Sequence, residues 1–170
     1  MKKLLVIFAL LLVSAPAFSQ RFAYIDTDYI MDNIPEFRVA EEELQRVSNQ
    51  WQEELESLFA NIERMYRDYQ AEAPLLPEAM RRQREENIIE RERQAKELQM
   101  QRFGREGDLF KKRQELIRPI QERVANAVKE LATSENFAII FDRAGAMTMV
   151  FADVRFDMSD EVLRRLGYRR

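Results

Sequence analysis

Ala73-Pro74-Leu75-Leu76-Pro77 (APLLP) interrupts about a hundred residues that otherwise read as helix, being highly charged and poor in glycine. Two prolines in four residues cannot sit inside a regular helix, because each lacks a backbone N–H and restricts the residue before it. The stretch before the interruption is periodic. Phe37, Ala40, Leu44, Val47, Trp51, Leu55, Leu58, Ile62, Met65, Tyr69 and Ala73 cover 36 residues in ten steps, or 3.6 per step. That is the natural period of an α-helix, whereas a strict heptad averages 3.5 and imposes a left-handed supercoil. The spacing predicts a nearly straight helix roughly 55 Å long at 1.5 Å per residue. Beyond the interruption, helical character is expected to run to about Ser134. Phe103, Phe110, Ile117, Val124 and Leu131 fall at seven-residue spacing, and Ile120 and Ala127 fill the alternate positions only in the last part. Two long amphipathic segments joined by a short proline-rich link predict an antiparallel helical hairpin over residues 37–116, its tip near 74–77.

Pairing outward from the tip sets Val47 opposite Gly104, Trp51 opposite Met100 and Ile62 opposite Ile89. The first helix begins near Pro35, whose fixed φ suits the first turn. The returning helix therefore outruns its partner from about Ile117, where its apolar face is most complete. Residues 20–36 and 117–170 are expected to form a compact body, continuous with the hairpin and joined to it without a linker. Arg21 to Asp26 (RFAYID) reads as a strand, followed by one or two helical turns before Pro35. Phe137 to Phe141 (FAIIF) and Met147 to Phe151 (MTMVF) read as two more strands around a hairpin loop. Ser159 is placed to cap a last helix with Asp160 and Glu161 in its first turn and Arg164 and Arg165 near its end, and Gly167 stops it. The fold class expected is α+β, a small β-rich body carrying a long antiparallel helical hairpin in a single domain, 20–170.

Residues 1–19 stand apart from this pattern. Lys2 and Lys3 precede an apolar run, Leu4 to Val13, and small residues at Ala17 and Ser19 mark cleavage before Gln20, so this stretch reads as the signal peptide of an exported protein. Removing its two lysines leaves 25 basic against 30 acidic residues, a net charge of −5. An acidic total argues against nucleic acid as a partner, since phosphate recognition needs positive surface. The chain has no Cys and no His, which removes disulfides, thiolate and imidazole chemistry, and most zinc sites and catalytic triads. No Gly-rich phosphate loop or nucleophile elbow occurs either. No catalytic residue, metal ligand or cofactor is expected, and the chain reads as a non-enzyme.

The candidate functional residues are therefore surfaces. Met65, Tyr66, Tyr69, Leu75, Leu76 and Met80 cluster toward the tip, opposite the charged run 81–93, and a two-helix seam cannot bury them all. Flexible Met and amphipathic Tyr suit varied partners, although a periodic stripe is also what ordinary hairpin core looks like. Arg81, Arg82 and Arg84 offer an anion or lipid contact, or else pair with glutamates three and four residues away. Gly104, Gly107 and Pro119 read as hinge positions; the glycines equally fit a close approach of the first helix near Val47. The strand residues are apolar on both faces, which calls for cover on two sides. Phe22, Tyr24, Ile139, Ile140, Phe141, Met149 and Phe151 are accordingly the expected oligomerisation set.

The order of these elements is similar to that of a known family. FAYIDTDYIMDNIPEF ahead of a charged hairpin, IRPIQERVANAVKELA leading into FAIIFDR, and a DMSDEVLRRLGY ending together resemble the Skp/OmpH family of periplasmic chaperones over essentially the whole chain after residue 19. The resemblance implies a homotrimer with a central barrel-like body and three helical arms. It further implies a chaperone that holds unfolded outer-membrane β-barrel proteins without ATP. Members are often strongly basic, and this chain's acidic balance departs from them where lipopolysaccharide or membrane contact is concerned. A periplasmic coiled-coil scaffold or spacer that binds a folded partner fits the same helical hairpin.

Overall fold

The computed structural model describes residues 21–145 and 149–168. The expected leader and its cleavage site lie outside the described residues. The strand β1 (Arg21–Ile25) pairs in parallel with β2 (Phe137–Asp142), Phe22 opposite Ile139 and Tyr24 opposite Phe141. The expected partner of β2 in a hairpin, Met147 to Phe151, is not found as a strand. Residues 149–151 have no strand structure, and Met147 and Thr148 lie outside the described residues. β1 holds one edge of β2. The other side of β1 carries a parallel bridge from Tyr24 to Asp157, with the Met158 N–H donating to the Tyr24 carbonyl at 2.9 Å. The MTMVF run has the composition of a strand but no ladder partner among the described residues. Its Val150 and Phe151 are 95% and 85% exposed.

Among the described residues, five α-helices follow from local chemistry. The Asp26 carboxylate accepts the Tyr29 N–H at 3.0 Å and so caps α1 (Thr27–Asp32). Ile34 is extended, and Pro35 opens α2 (Pro35–Glu72). A 3₁₀ turn, Ala73–Leu75, and the extended pair Leu76-Pro77 lead into α3 (Glu78–Phe103). The returning segment is then broken, where the seven-residue spacing predicted continuity, and α4 (Asp108–Ser134) begins after residues 104–107. A Cβ on Gly104 would lie 2.3 Å from the Met100 carbonyl oxygen, and one on Gly107 would lie 2.7 Å from that of Gln101. Both glycines are thus required by the chain's tight fold over the last turn of α3, and not by an approach of α2. The helix α4 runs on through Pro119.

The last helix, α5 (Ser159–Arg165), corrects the expected cap. Ser159 is its first residue, and the Asp157 carboxylate accepts the Ser159 N–H at 2.9 Å. The Ser159 hydroxyl donates to that carboxylate at 2.6 Å and accepts the Asp26 N–H at 2.9 Å, tying α5 to the end of β1. Gly167 ends the helix as expected. It takes φ +89°, its N–H reaches the Arg164 carbonyl at 3.1 Å, and the Tyr168 N–H reaches that of Leu163 at 3.0 Å. This is the Schellman pattern, which needs a left-handed residue.

The chain forms two compact units, residues 31–125 and the described residues before and after them. In the first, Ile62, Ile88 and Ala95 make a buried cluster backed by Phe59, Met65 and Tyr69. The register differs from the one inferred by folding at the middle of the proline link. Ile88 is buried at 5% exposure while Ile89 is 65% exposed, and Trp51 meets Phe103 edge-on at 6.4 Å while Met100 is exposed. Helical turns persist to Leu75, so the chain reverses around Leu76-Pro77 and the facing residues shift by about a turn. Arg123 pairs with Glu36 at 3.6 Å, so α4 stays beside α2 to that point and not only to Ile117. In the second unit Ala23, Tyr24, Ile25, Ile30, Leu131 and Val162 are buried. Each large aliphatic side chain removed from water there contributes about 1.5–3 kcal/mol.

Candidate functional site

The hairpin tip divides the sequence-predicted residues into two kinds. Met65 and Tyr69 pack against the buried cluster, and the Tyr69 hydroxyl donates to the Glu85 carboxylate across the seam. That bond, followed by desolvation and the Glu85 charge, holds the Tyr69 phenol above its ordinary pKa. Leu75, Tyr66 and Met80 instead face solvent at 86%, 50% and 46% exposure, and Leu76 is half-buried. Ile89 joins this exposed set. Adjacent residues on a helix point about 100° apart, so Ile88 and Ile89 cannot both enter a two-helix seam. Their adjacency in the sequence already sets them on different faces.

The tip arginines are mostly engaged. Arg82 pairs with Glu78 one turn away, and Arg84 reaches Glu72 across the tip at 3.8 Å. Arg81 has no ion-pair partner among the described residues. Farther along α3, Arg93 bridges Glu90 and Glu97, and its two hydrogen bonds hold the Glu90 carboxyl below its usual range together with one from Gln94. This face is largely self-neutralised.

A second apolar surface lies in the unit that contains the sheet. Phe22, Phe137, Phe141, Met149, Phe151 and Phe156 line a concavity of about 760 Å³. Phe22, Ile139 and Phe151 of the expected oligomerisation set are exposed at 45%, 47% and 85%; Ile140, Phe141 and Met149 are half-buried. Tyr24 is only 6% exposed and belongs to the core of its own chain. Burial, then the neighbouring Asp157 carboxylate, raises its phenol pKa. Phe156, Val150 and Val154 add exposed apolar area that the sequence reading did not single out. Among the described residues no cluster of three or more acidic side chains is placed to hold a metal ion, and no helix is long and apolar enough to cross a membrane.

A small parallel sheet with helices and a long two-helix seam, bearing exposed apolar surface, defines an α+β helical-hairpin protein. The family model for outer membrane protein (OmpH-like) matches residues 21–166, and the chain belongs to that family. Its fold is similar to the crystal structure of a candidate outer membrane chaperone (OmpH-like) from Caulobacter crescentus CB15. The two share 12% identity over 89% of this chain and 86% of that one, with a TM-score of 0.69. At that identity the likeness is one of fold. No curated protein matches the chain.

Proposed function

We propose that this protein is an ATP-independent periplasmic holding chaperone, which binds unfolded outer-membrane β-barrel proteins and prevents their aggregation. The observation that carries the reading is the solvent-facing set Tyr66, Leu75, Met80 and Ile89 at the far end of a hairpin in an OmpH-like chain. Apolar side chains of this kind, spaced along a helix, provide many weak contacts to an extended client, and several copies in one assembly multiply their effect. The apolar face around Phe22, Ile139 and Phe151 is covered in this reading by identical subunits in a homotrimer. Gly104 and Gly107 let the hairpin bend, and Arg81 is the tip cation left for a lipid headgroup.

The test is dilution of a urea-unfolded β-barrel protein into the mature chain. Aggregation is expected to be suppressed at a several-fold trimer excess. Replacing Tyr66, Leu75, Leu76 and Met80 with Ser should weaken retention while leaving the oligomer intact. No suppression by the parent chain would point instead to a scaffold for a folded partner. Light scattering is expected to give a trimer, and a stable monomer would contradict the proposed cover for the aromatic face.

A further inference from the structure

Residues 104–107 interrupt the helical ladder of the returning segment. The Gly104 N–H still reaches the Met100 carbonyl of α3 at 2.8 Å and the Lys111 N–H of α4 reaches the Gly107 carbonyl at 3.1 Å, while between them the Gly107 N–H turns back to the Gly104 carbonyl at 2.9 Å. The ladder does not run continuously from α3 into α4, so side-chain contacts add to the tight turn in setting α4 relative to α3. One side chain touches all three helices. The Arg102 guanidinium, in the last turn of α3, lies 4.5 Å from the centre of the Trp51 ring on α2. Its terminal nitrogen donates to Asp108, the first residue of α4, at 2.8 Å. Both side chains of this ion pair are about three-quarters buried, so solvent screens it less than the exposed pairs along the hairpin. A cation over an indole ring in such a site adds electrostatic attraction.

We propose that Arg102 is a clasp and that residues 104–107 form the joint it closes. The Nε of Arg102 is buried and has no hydrogen-bond partner among the described residues. Buried polar groups are nearly always paired, and a guanidinium kept only for packing would be expected to have that donor satisfied. In the clasped state one donor is withheld from water, and opening the joint rehydrates it, so the closed state is poised and not locked. The cluster works on the hairpin itself and does not depend on what the hairpin binds.

The chain has no native cysteine and a single tryptophan, which makes the clasp directly observable. Spin labels on cysteines at the exposed positions Arg91 and Gln114 straddle the joint, and labelled chain diluted with unlabelled chain isolates the intrachain distance. The parent should give one narrow distance peak. Arg102→Met keeps an aliphatic stem against Trp51 but removes the cation, and Asp108→Asn keeps an oxygen at the start of α4 but removes the charge. Both should lose the narrow peak in favour of a broad distribution, with Trp51 emission shifted to longer wavelength and helical circular dichroism unchanged. Arg46→Met, which removes an exposed pair with Glu43, should leave the peak narrow. If Arg102→Met loses its helical signal, Asp108→Asn decides alone. A narrow, unshifted peak in Asp108→Asn, or a parent distribution already as broad as the variants', would overturn the proposal.

Discussion

Leu131 is completely buried and Leu75 is 86% exposed, although both are leucines in apolar stretches close to the end of a helix. The contrast extends to the segments around them. Along α4, Ile117, Ile120, Val124, Ala127 and Leu131 are all buried, at alternating spacings of three and four. In the α2–α3 seam the buried pairs Leu55 and Ile62, and Ile88 and Ala95, are each seven residues apart. A helix facing only one other helix covers a narrow strip, whereas the full apolar face of a helix in a globular core is wider than 100°. The 3.6-residue stripe of α2 is wider than its partner can cover, and α3 has almost no apolar face of its own to offer. Leu58, Tyr66 and Ile89 are left in solvent as a result. Exposed apolar surface here is a consequence of two-helix geometry.

The comparison is most readily broken by mutation. Leu131→Ala should destabilise the protein by about 2–5 kcal/mol, the range for emptying a packed aliphatic site. Ile62→Ala should fall toward the lower end of that range, and Leu75→Ala should change stability by no more than about 0.5 kcal/mol. Urea unfolding followed by circular dichroism gives the order directly, and a Leu75 cost equal to that of Leu131 would abolish the contrast. An effect smaller than that of Leu131→Ala is expected at Gly167, whose φ of +89° penalises any Cβ. Gly167→Ala should cost about 1–2 kcal/mol, read in the same unfolding experiment.

The smallest effect is on pH. Arg46 beside Glu43, Arg93 beside Glu90, Arg155 beside Asp153 and Arg164 beside Glu161 hold those carboxyls below their ordinary pKa values. A carboxyl depressed in the folded state contributes stability that is present above its unfolded pKa and is lost as pH falls through the folded one. Acidification below the usual carboxylate range should therefore cost a little stability, and less at high salt, since these pairs are exposed. A gain in stability over that window would contradict the assignment.

The hairpin, the two-sided apolar character of β2 and the α4 stripe were legible in the sequence because periodicity and proline chemistry act locally. What was not legible depended on partners. The seven-residue spacing from Phe103 to Phe110 suggested one helix, but the Gly104–Gly107 turn breaks the phase and leaves Phe110 at 44% exposure. MTMVF has strand composition, yet whether it forms a strand depends on a neighbour's edge. Ser159 looked like a cap because its own residue type favours that role, while the carboxylate that performs it stands two residues earlier. At the tip, composition marked Met65 and Tyr66 alike, while the 3.6-residue stripe, which includes Met65 and Tyr69 but not Tyr66, already separates the seam residues from the exposed one.

All of this depends on α2 and α3 being neighbours within one chain. Spin labels at Leu58 and Lys96, both exposed and close to opposite one another in the observed register, test it when labelled chain is diluted with unlabelled chain. Helices packed about 10 Å apart should give strong dipolar broadening. A spectrum without broadening, matching the roughly 57 Å that an unbroken helix would place between these positions at 1.5 Å per residue, would contradict the account.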